Sequence, residues 1–223
     1  MIKLLTFTVY STVVVGAFFS GVYSQHFLKI PTEPTNLADT TSAIAALAGL
    51  IIAAITITNW KKTKIQEDSY QLIKNYISEL VLIETTITEI FIEVRSITPL
   101  AGNAVPSQAF VTDTLQNVDQ LRKKLSKLYR QIYQTKNELS FWGTKLTQRP
   151  ESTHKKLMDE LYNFQIVSDV IRNNLESFFS NSLCTITQIT TEYEKFECYY
   201  KKISIILLER KATKISNMFI TSH

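Results

Sequence analysis

The sequence predicts an all-α protein, with an N-terminal two-helix transmembrane hairpin followed by an elongated antiparallel helical bundle or coiled coil. Three observations predict it. Charge is absent from Leu4 to Tyr23 and again from Thr40 to Trp60, whereas from Lys61 onward charges occur every few residues. Apolar residues after Trp60 recur in heptads, the spacing of a helix that buries one seam. The 223 residues include only five Gly and five Pro, most of them before residue 107, which favours long helices over many short strands.

The first element is a span over residues 4–23 and the second a span over 43–60. Each matches the ~20 helical residues that cross a hydrocarbon core ~30 Å thick. Residues 24–42, with Pro31 and Pro34, are too polar and too broken to remain in lipid and form the connecting loop. Lys3 ahead of an apolar run also suits a secretory signal, but the run exceeds a usual signal core and Tyr23 spoils a small-x-small cleavage site, so it is read as an uncleaved span. Lys3 flanks the first span and Lys61, Lys62 and Lys64 follow the second. The loop carries only Lys29, against Glu33 and Asp39. The bias of basic residues places both termini in the cytoplasm and the loop outside, with Tyr23 and Trp60 as interfacial aromatics.

Within the spans, Thr8, Thr12, Gly16 and Ser20 form one narrow stripe of small and hydroxylated residues, and Ala45, Gly49 and Ala53 form another. Such stripes let helix backbones approach closely. They close the hairpin against itself, or else they mediate homo-oligomerisation and line a water-permeable path. Neither span holds the charged residue that marks a strongly polar pore.

Residues 61–223 read as a cytoplasmic bundle with helices at about 61–98, 107–143, 151–180 and 182–220. In the first, Ile73, Leu80, Ile87 and Val94 occupy a positions, with Tyr76, Ile83, Ile90 and Ile97 at d. No Gly or Pro separates this run from the second span, so residues 43–97 can form one rod of roughly 80 Å. Thr98, Pro99, Gly102 and Pro106 end it. The second helix has Val111, Val118, Leu125, Ile132 and Leu139 at a, with Thr114, Leu121, Leu128, Thr135 and Trp142 at d. Gly143 and Pro150 bracket the next break, and Leu157, Leu161, Phe164, Ile171, Leu175 and Phe178 define the third helix. After a weak break near Asn181, Ile186, Tyr193, Tyr200 and Leu207 alternate with Ile189, Phe196 and Ile203. Short connections make successive helices antiparallel neighbours.

No motif in the chain carries catalysis. His26, His154 and His223 show no paired-ligand spacing, and there is no phosphate-binding glycine loop or nucleophile elbow, so neither a metal, a cofactor nor an enzymatic activity is expected. Glu79, Glu84, Glu89 and Glu93 read as a solvated helix face rather than an acid/base pair. Cys184 and Cys198 are about 21 Å apart along one helix, too far to bridge, and read as thiols in a reducing compartment.

Charge placement is more informative. Between Gln120 and Asn137 there are six basic residues and no acidic one. Arg122, Lys124 and Lys136 fall at e or g, flanking the seam, where Glu79, Glu84 or Glu93 of the preceding helix can pair with them. Lys123, Lys127 and Arg130 fall at f and c and point outward on one face, with Tyr129 and Tyr133 nearby. That face is either simply solvated or receives an anionic partner: nucleic acid, an acidic protein surface or lipid headgroups. Arg210, Lys211 and Lys214 read as a weaker second patch.

This layout resembles the two-transmembrane effectors encoded beside bacterial retron reverse transcriptases in anti-phage defence. The hairpin with its two stripes, the Lys61–Lys64 basic clamp and the helical domain carry the resemblance. It implies a multi-pass protein of the bacterial inner membrane, restrained by a reverse transcriptase and its RNA–DNA product. Infection would release it, and the hairpin would then damage the membrane in abortive infection. The alternatives are a membrane-tethered helical scaffold without toxic activity and a holin-like pore former.

Overall fold

The computed structural model describes residues 34–100, 105–180 and 184–221. Among them the fold is all-α, with four long helices: α1 (Pro34–Ile97), α2 (Gln108–Phe141), α3 (Gln148–Phe179) and α4 (Ile186–Ala212). A two-stranded antiparallel sheet of β1 (Thr144–Leu146) and β2 (Phe219–Thr221) is the small addition. The chain divides into two units, residues 1–66 and 67–223.

In the first unit, α1 begins at Pro34, so residues 34–42, expected as part of an extramembrane loop, are helical instead. A proline at the first helical position costs nothing, because its missing N–H would have no intrahelical partner there. The first expected span, residues 4–23, lies outside the described residues. Among those described, α1 is the one helix long and apolar enough to cross a membrane. Its side chains there are exposed: Leu47 at 63%, Leu50 at 71% and Ile57 at 63%. Thr56 and Thr58 turn their hydroxyls back to the carbonyls of Ile52 and Ala54, at 2.8 Å each, which removes two polar donors from the surface.

In the second unit, residues 67–97 of α1 pack with α2, α3 and α4 around one core. Tyr76, Leu80, Ile83, Ile87, Ile90, Val94 and Ile97 are buried, while Ile73 is partly so. From α2 the core takes Val111, Thr114, Val118, Leu125, Leu128, Ile132, Thr135 and Leu139, with Leu121 and Trp142 half-buried. Leu157, Leu161, Phe164, Ile171 and Leu175 of α3 join them, as do Ile189, Tyr193, Phe196, Ile203 and Leu207 of α4. Each fully buried Leu, Ile or Phe contributes roughly 1.5–3 kcal/mol by leaving water. Mid-bundle, Phe91 stacks on Tyr200 with ring centroids 4.1 Å apart, and Phe164 stacks on Phe196 at 4.9 Å, which joins α1, α3 and α4. Ile186 departs from the expected core and is 51% exposed, because it opens the first turn of α4 immediately after the cap.

The helix ends have local causes. Ser107 caps α2 by accepting from the Phe110 N–H, and Thr185 with Gln188 forms a capping box at the start of α4. Pro150, expected as a helix breaker, sits inside the first turn of α3, where a missing N–H is tolerated. Gly143 follows α2 with φ 76°, a left-handed conformation that glycine adopts without strain. α4 ends at Ala212 rather than near 220. A 3₁₀ turn (Ile215–Asn217) then turns the chain so that Phe219 pairs with Leu146 and Thr221 with Thr144. Thr147 secures this corner, its N–H donating to the Met218 carbonyl at 2.9 Å and its hydroxyl to that of Asn217 at 2.9 Å.

Candidate partner interface

The basic run on α2 divides sharply. Arg122 pairs with Asp119 at 3.4 Å and with Asp169 of α3 at 2.6 Å; Lys124 pairs with Glu89 of α1 at 3.7 Å; and Lys136 pairs with Glu151 of α3. Arg172 of α3 reaches back to Asp119 at 3.1 Å and also holds Glu176, which extends the network across the α2–α3 seam. These cations lie beside the seam, as the register predicts, but their partners differ from Glu79, Glu84 and Glu93. Arg122 and Lys136 face α3 rather than α1. Glu84 instead meets Lys211 of α4 at 2.7 Å.

Lys123, Lys127 and Arg130 stand apart. All three are exposed, and among the described residues none makes an ion pair. They line one open cleft of about 700 Å³, together with Asp119, Arg122, Gln131 and Gln134 of α2 and Gln165 of α3, Asp119 being held by Arg122 and Arg172. On a helix, positions i, i+4 and i+7 bring the three charges to one side, about 6 Å and then 4.5 Å apart along the axis. Ser126 donates to Gln165 at 2.7 Å and fixes one wall. Tyr133 and Tyr162 are exposed at 55% and 57%. Burial raises the phenol pKa of the neighbouring Tyr129, with smaller pushes from Asp159, Tyr162 and Tyr133. The arrangement offers an anionic surface three cations that make no ion pair among the described residues.

The expected small-residue stripes are placed in part. Ala45, Gly49 and Ala53 lie on one side of α1 and are exposed, and a Cβ added at Gly49 would meet nothing within 4 Å. Thr8, Thr12, Gly16 and Ser20 lie outside the described residues.

The expected second patch keeps only Lys211 and Lys214 at the surface. Arg210 is only 5% exposed, Lys211 is paired with Glu84, and Lys214 is exposed. Arg210 donates through Nη2 to the Tyr76 hydroxyl at 2.8 Å and to the Pro150 carbonyl at 2.8 Å. Because that hydroxyl accepts from Arg210, its own hydrogen is free for His154 Nδ1, 2.9 Å away. Burial pushes the Tyr76 phenol up to about 12 against the pull of Arg210. Burial, with the Lys136 and Arg210 cations, pushes His154 down to about 4, so the imidazole is neutral at pH 7 and accepts this bond. Glu79 also departs from the wet face expected of it. Its Oε1 accepts from Thr135 at 2.9 Å, and burial raises its carboxyl pKa. Arg210 falls beside Leu207 in a helical pattern, and no sequence signal separates a buried arginine there from a solvated one.

Among the described residues no group of His, Cys, Asp or Glu is placed to hold a metal ion, and Cys184 and Cys198 are free thiols. The chain matches no family model, no curated protein and no solved structure.

Proposed function

We propose that the protein is a partner-controlled membrane effector of the kind found in retron anti-phage defence. Its bundle takes an anionic partner on the Lys123/Lys127/Arg130 face, and its apolar helices act in the inner membrane when that partner is lost. The single observation that carries this reading is the segregation of charge on α2, where the seam cations are paired and the outward three are not. The one carboxylate lining the cleft, Asp119, is held by Arg122 and Arg172, and three cations without an ion pair beside it attract anions and steer their approach. The resemblance supplies the rest: a reverse transcriptase with its RNA–DNA product as the restraint, two spans with both termini cytoplasmic, and membrane damage as the output.

The test is expression with and without the neighbouring genes, following entry of a membrane-impermeant dye. Expression alone should admit dye, and co-expression should prevent it. The triple reversal Lys123→Glu, Lys127→Glu and Arg130→Glu should restore dye entry despite the neighbours. It should leave the melting temperature nearly unchanged, because exposed charges contribute ~0–1 kcal/mol. In the wild type, capture of the partner should weaken as salt rises. A chain tolerated under every condition would be a tethered scaffold, and one that kills regardless of its neighbours would be a holin-like pore former. Either result ends the effector reading.

A further inference from the structure

The cations of the α2 cleft have exposed aromatic neighbours. Lys123, Lys127 and Arg130 run along about 10 Å of α2, and Gln165 of α3 lines the cleft with them. Ser126 donates to that same Gln165. Tyr133 follows Ser126 by seven residues, two helical turns, so it stands on the side of α2 that faces α3, just beyond Arg130. On the opposite helix, Tyr162 precedes Gln165 by three residues, and Ile166 follows it at 46% exposure. The two phenol rings are 55% and 57% exposed, and both act on the phenol of Tyr129, which is half-buried in the same seam. Asp159 is exposed beside these rings and does not line the cleft that holds the cations.

This juxtaposition discriminates among anions. Lipid headgroups and acidic side chains call for the cations and leave the open rings without a task. A duplex presents phosphates but covers the faces of its bases. A strand with unpaired bases offers phosphate oxygens along one edge and flat π surfaces along the other. Stacking of this kind is tolerant of sequence, because every base has such a face. The carboxylate of Asp159 repels phosphates from the tyrosine side and leaves them to the cations.

We propose that this strip binds single-stranded nucleic acid, its phosphates running along Lys123, Lys127 and Arg130 and its bases stacking on Tyr133 and Tyr162. The assignment rests on the reading that this face receives the anionic partner, and it names that partner's chemical class. Gln131, Gln134 and Gln165 add amide donors beside the phosphate track.

The experiment places the full chain in neutral phosphatidylcholine nanodiscs and follows the fluorescence anisotropy of labelled probes. Two are single strands, an oligothymidylate and an oligouridylate of about 16 nucleotides, near the upper site size of one binding module. An abasic strand of equal length keeps the phosphates without bases, a duplex keeps both with the faces covered, and polyglutamate stands for an acidic protein surface. Both single strands should bind saturably, the tighter one naming DNA or RNA as the source, with the other three probes at least roughly tenfold weaker. Tyr133→Ala with Tyr162→Ala should weaken the single strands at least roughly tenfold and leave the abasic strand unchanged. Tyr133→Phe with Tyr162→Phe should retain binding, since stacking needs the ring and not the hydroxyl. Rising salt should weaken every probe, and the triple reversal of Lys123, Lys127 and Arg130 to Glu should remove them all. An abasic strand, duplex or polyglutamate held as tightly as the single strands would overturn the proposal. So would failure of every probe to bind, or indifference to the double alanine change. Dye entry governed by the neighbouring genes with no strand bound would end this assignment alone, whereas strand binding without dye entry would end the effector reading alone.

Discussion

Two stretches of α1 use the same apolar alphabet to opposite ends. Ile44, Leu47, Leu50, Ile55 and Ile57 are 51–71% exposed, whereas Ile83, Ile87, Ile90, Val94 and Ile97 are fully buried. The two differ in arrangement rather than in composition. Between Ala43 and Trp60 apolar residues surround the helix and no charge interrupts them. From Ile73 to Ile97 the buried apolar residues fall at a and d, joined by Phe91 at e, and Lys74, Glu84, Glu89, Glu93 and Arg95 break up the other faces, where Val81, Leu82 and Ile92 remain exposed. A striped helix is satisfied by other helices on one side and water on the other. A helix apolar all round finds no such arrangement in water and needs an apolar medium on every side. The comparison therefore separates the two stretches: the bundle supplies protein partners for the later one, whereas the earlier is long and apolar enough to cross a membrane.

Truncation at matched positions should break this symmetry by the widest margin. Ile87→Ala should destabilise the bundle by ~2–5 kcal/mol, since it leaves a cavity among fully buried neighbours. Leu50→Ala should leave bundle stability unchanged, while Leu50→Lys should disfavour membrane insertion by ~2.5–3.5 kcal/mol near the centre of a span. Denaturant unfolding followed by circular dichroism reads the first effect, and the membrane-inserted fraction reads the second. A bundle destabilised equally by Ile87→Ala and Leu50→Ala would mean that the earlier stretch is packed in protein after all.

The same contrast explains what was legible in the sequence. Periodicity over several turns is a redundant signal. It identified the all-α class and the buried seam from Tyr76 to Ile97, and it separated Arg122, Lys124 and Lys136 from the outward Lys123, Lys127 and Arg130. Features set by one or two residues carried no such redundancy. Strands of three residues have no readable period, so β1 and β2 were missed and α4 was expected to run too far. Pro34 and Pro150 were read as breakers, although a first-turn proline is harmless. Arg210 and Glu79 were assigned to solvent because their burial depends on which helices meet at that end of the bundle. The Tyr76 hydroxyl that joins Arg210 to His154 lies 134 residues from the arginine and 78 from the histidine.

That polar cluster yields the next largest effect, within the buried half of the comparison. His154 is 3% exposed and titrates near 4 rather than its ordinary 6.5, facing Tyr76 of α1, Arg210 of α4, Lys136 of α2 and Glu151 of its own helix. Between these values the unfolded chain binds a proton that the folded chain refuses, so stability must rise with pH across that interval. The contribution is complete above pH 6.5 and is lost as pH falls toward 4, with a full span of about 3 kcal/mol. His154→Gln should flatten this part of the stability–pH curve. A wild-type curve already flat from pH 6.5 to 4 would show that the imidazole is not held neutral.

The smallest effect on stability belongs to Gly49, and that smallness makes it useful. A side chain there would meet nothing of the described chain within 4 Å, and leucine is favoured over glycine in a helix by roughly 0.8–1 kcal/mol. Gly49→Leu should therefore leave the bundle's melting temperature unchanged and α1 slightly more stable, with the stretch still apolar and still inserted. Any functional loss must then come from a helix that packs on the Ala45/Gly49/Ala53 stripe in the membrane, where a larger side chain holds the backbones apart. Residues 4–23 and a second copy of the chain are the two candidates, and crosslinking through a cysteine at Ala53 distinguishes them by product mass. With the chain expressed alone, dye entry should persist for the wild type and for Leu50→Ile, a change that conserves size and polarity. It should fall severalfold for Gly49→Leu at equal membrane abundance. Undiminished dye entry in Gly49→Leu would assign the stripe no packing role and would leave the exposed half of α1 as an anchor defined by apolarity alone.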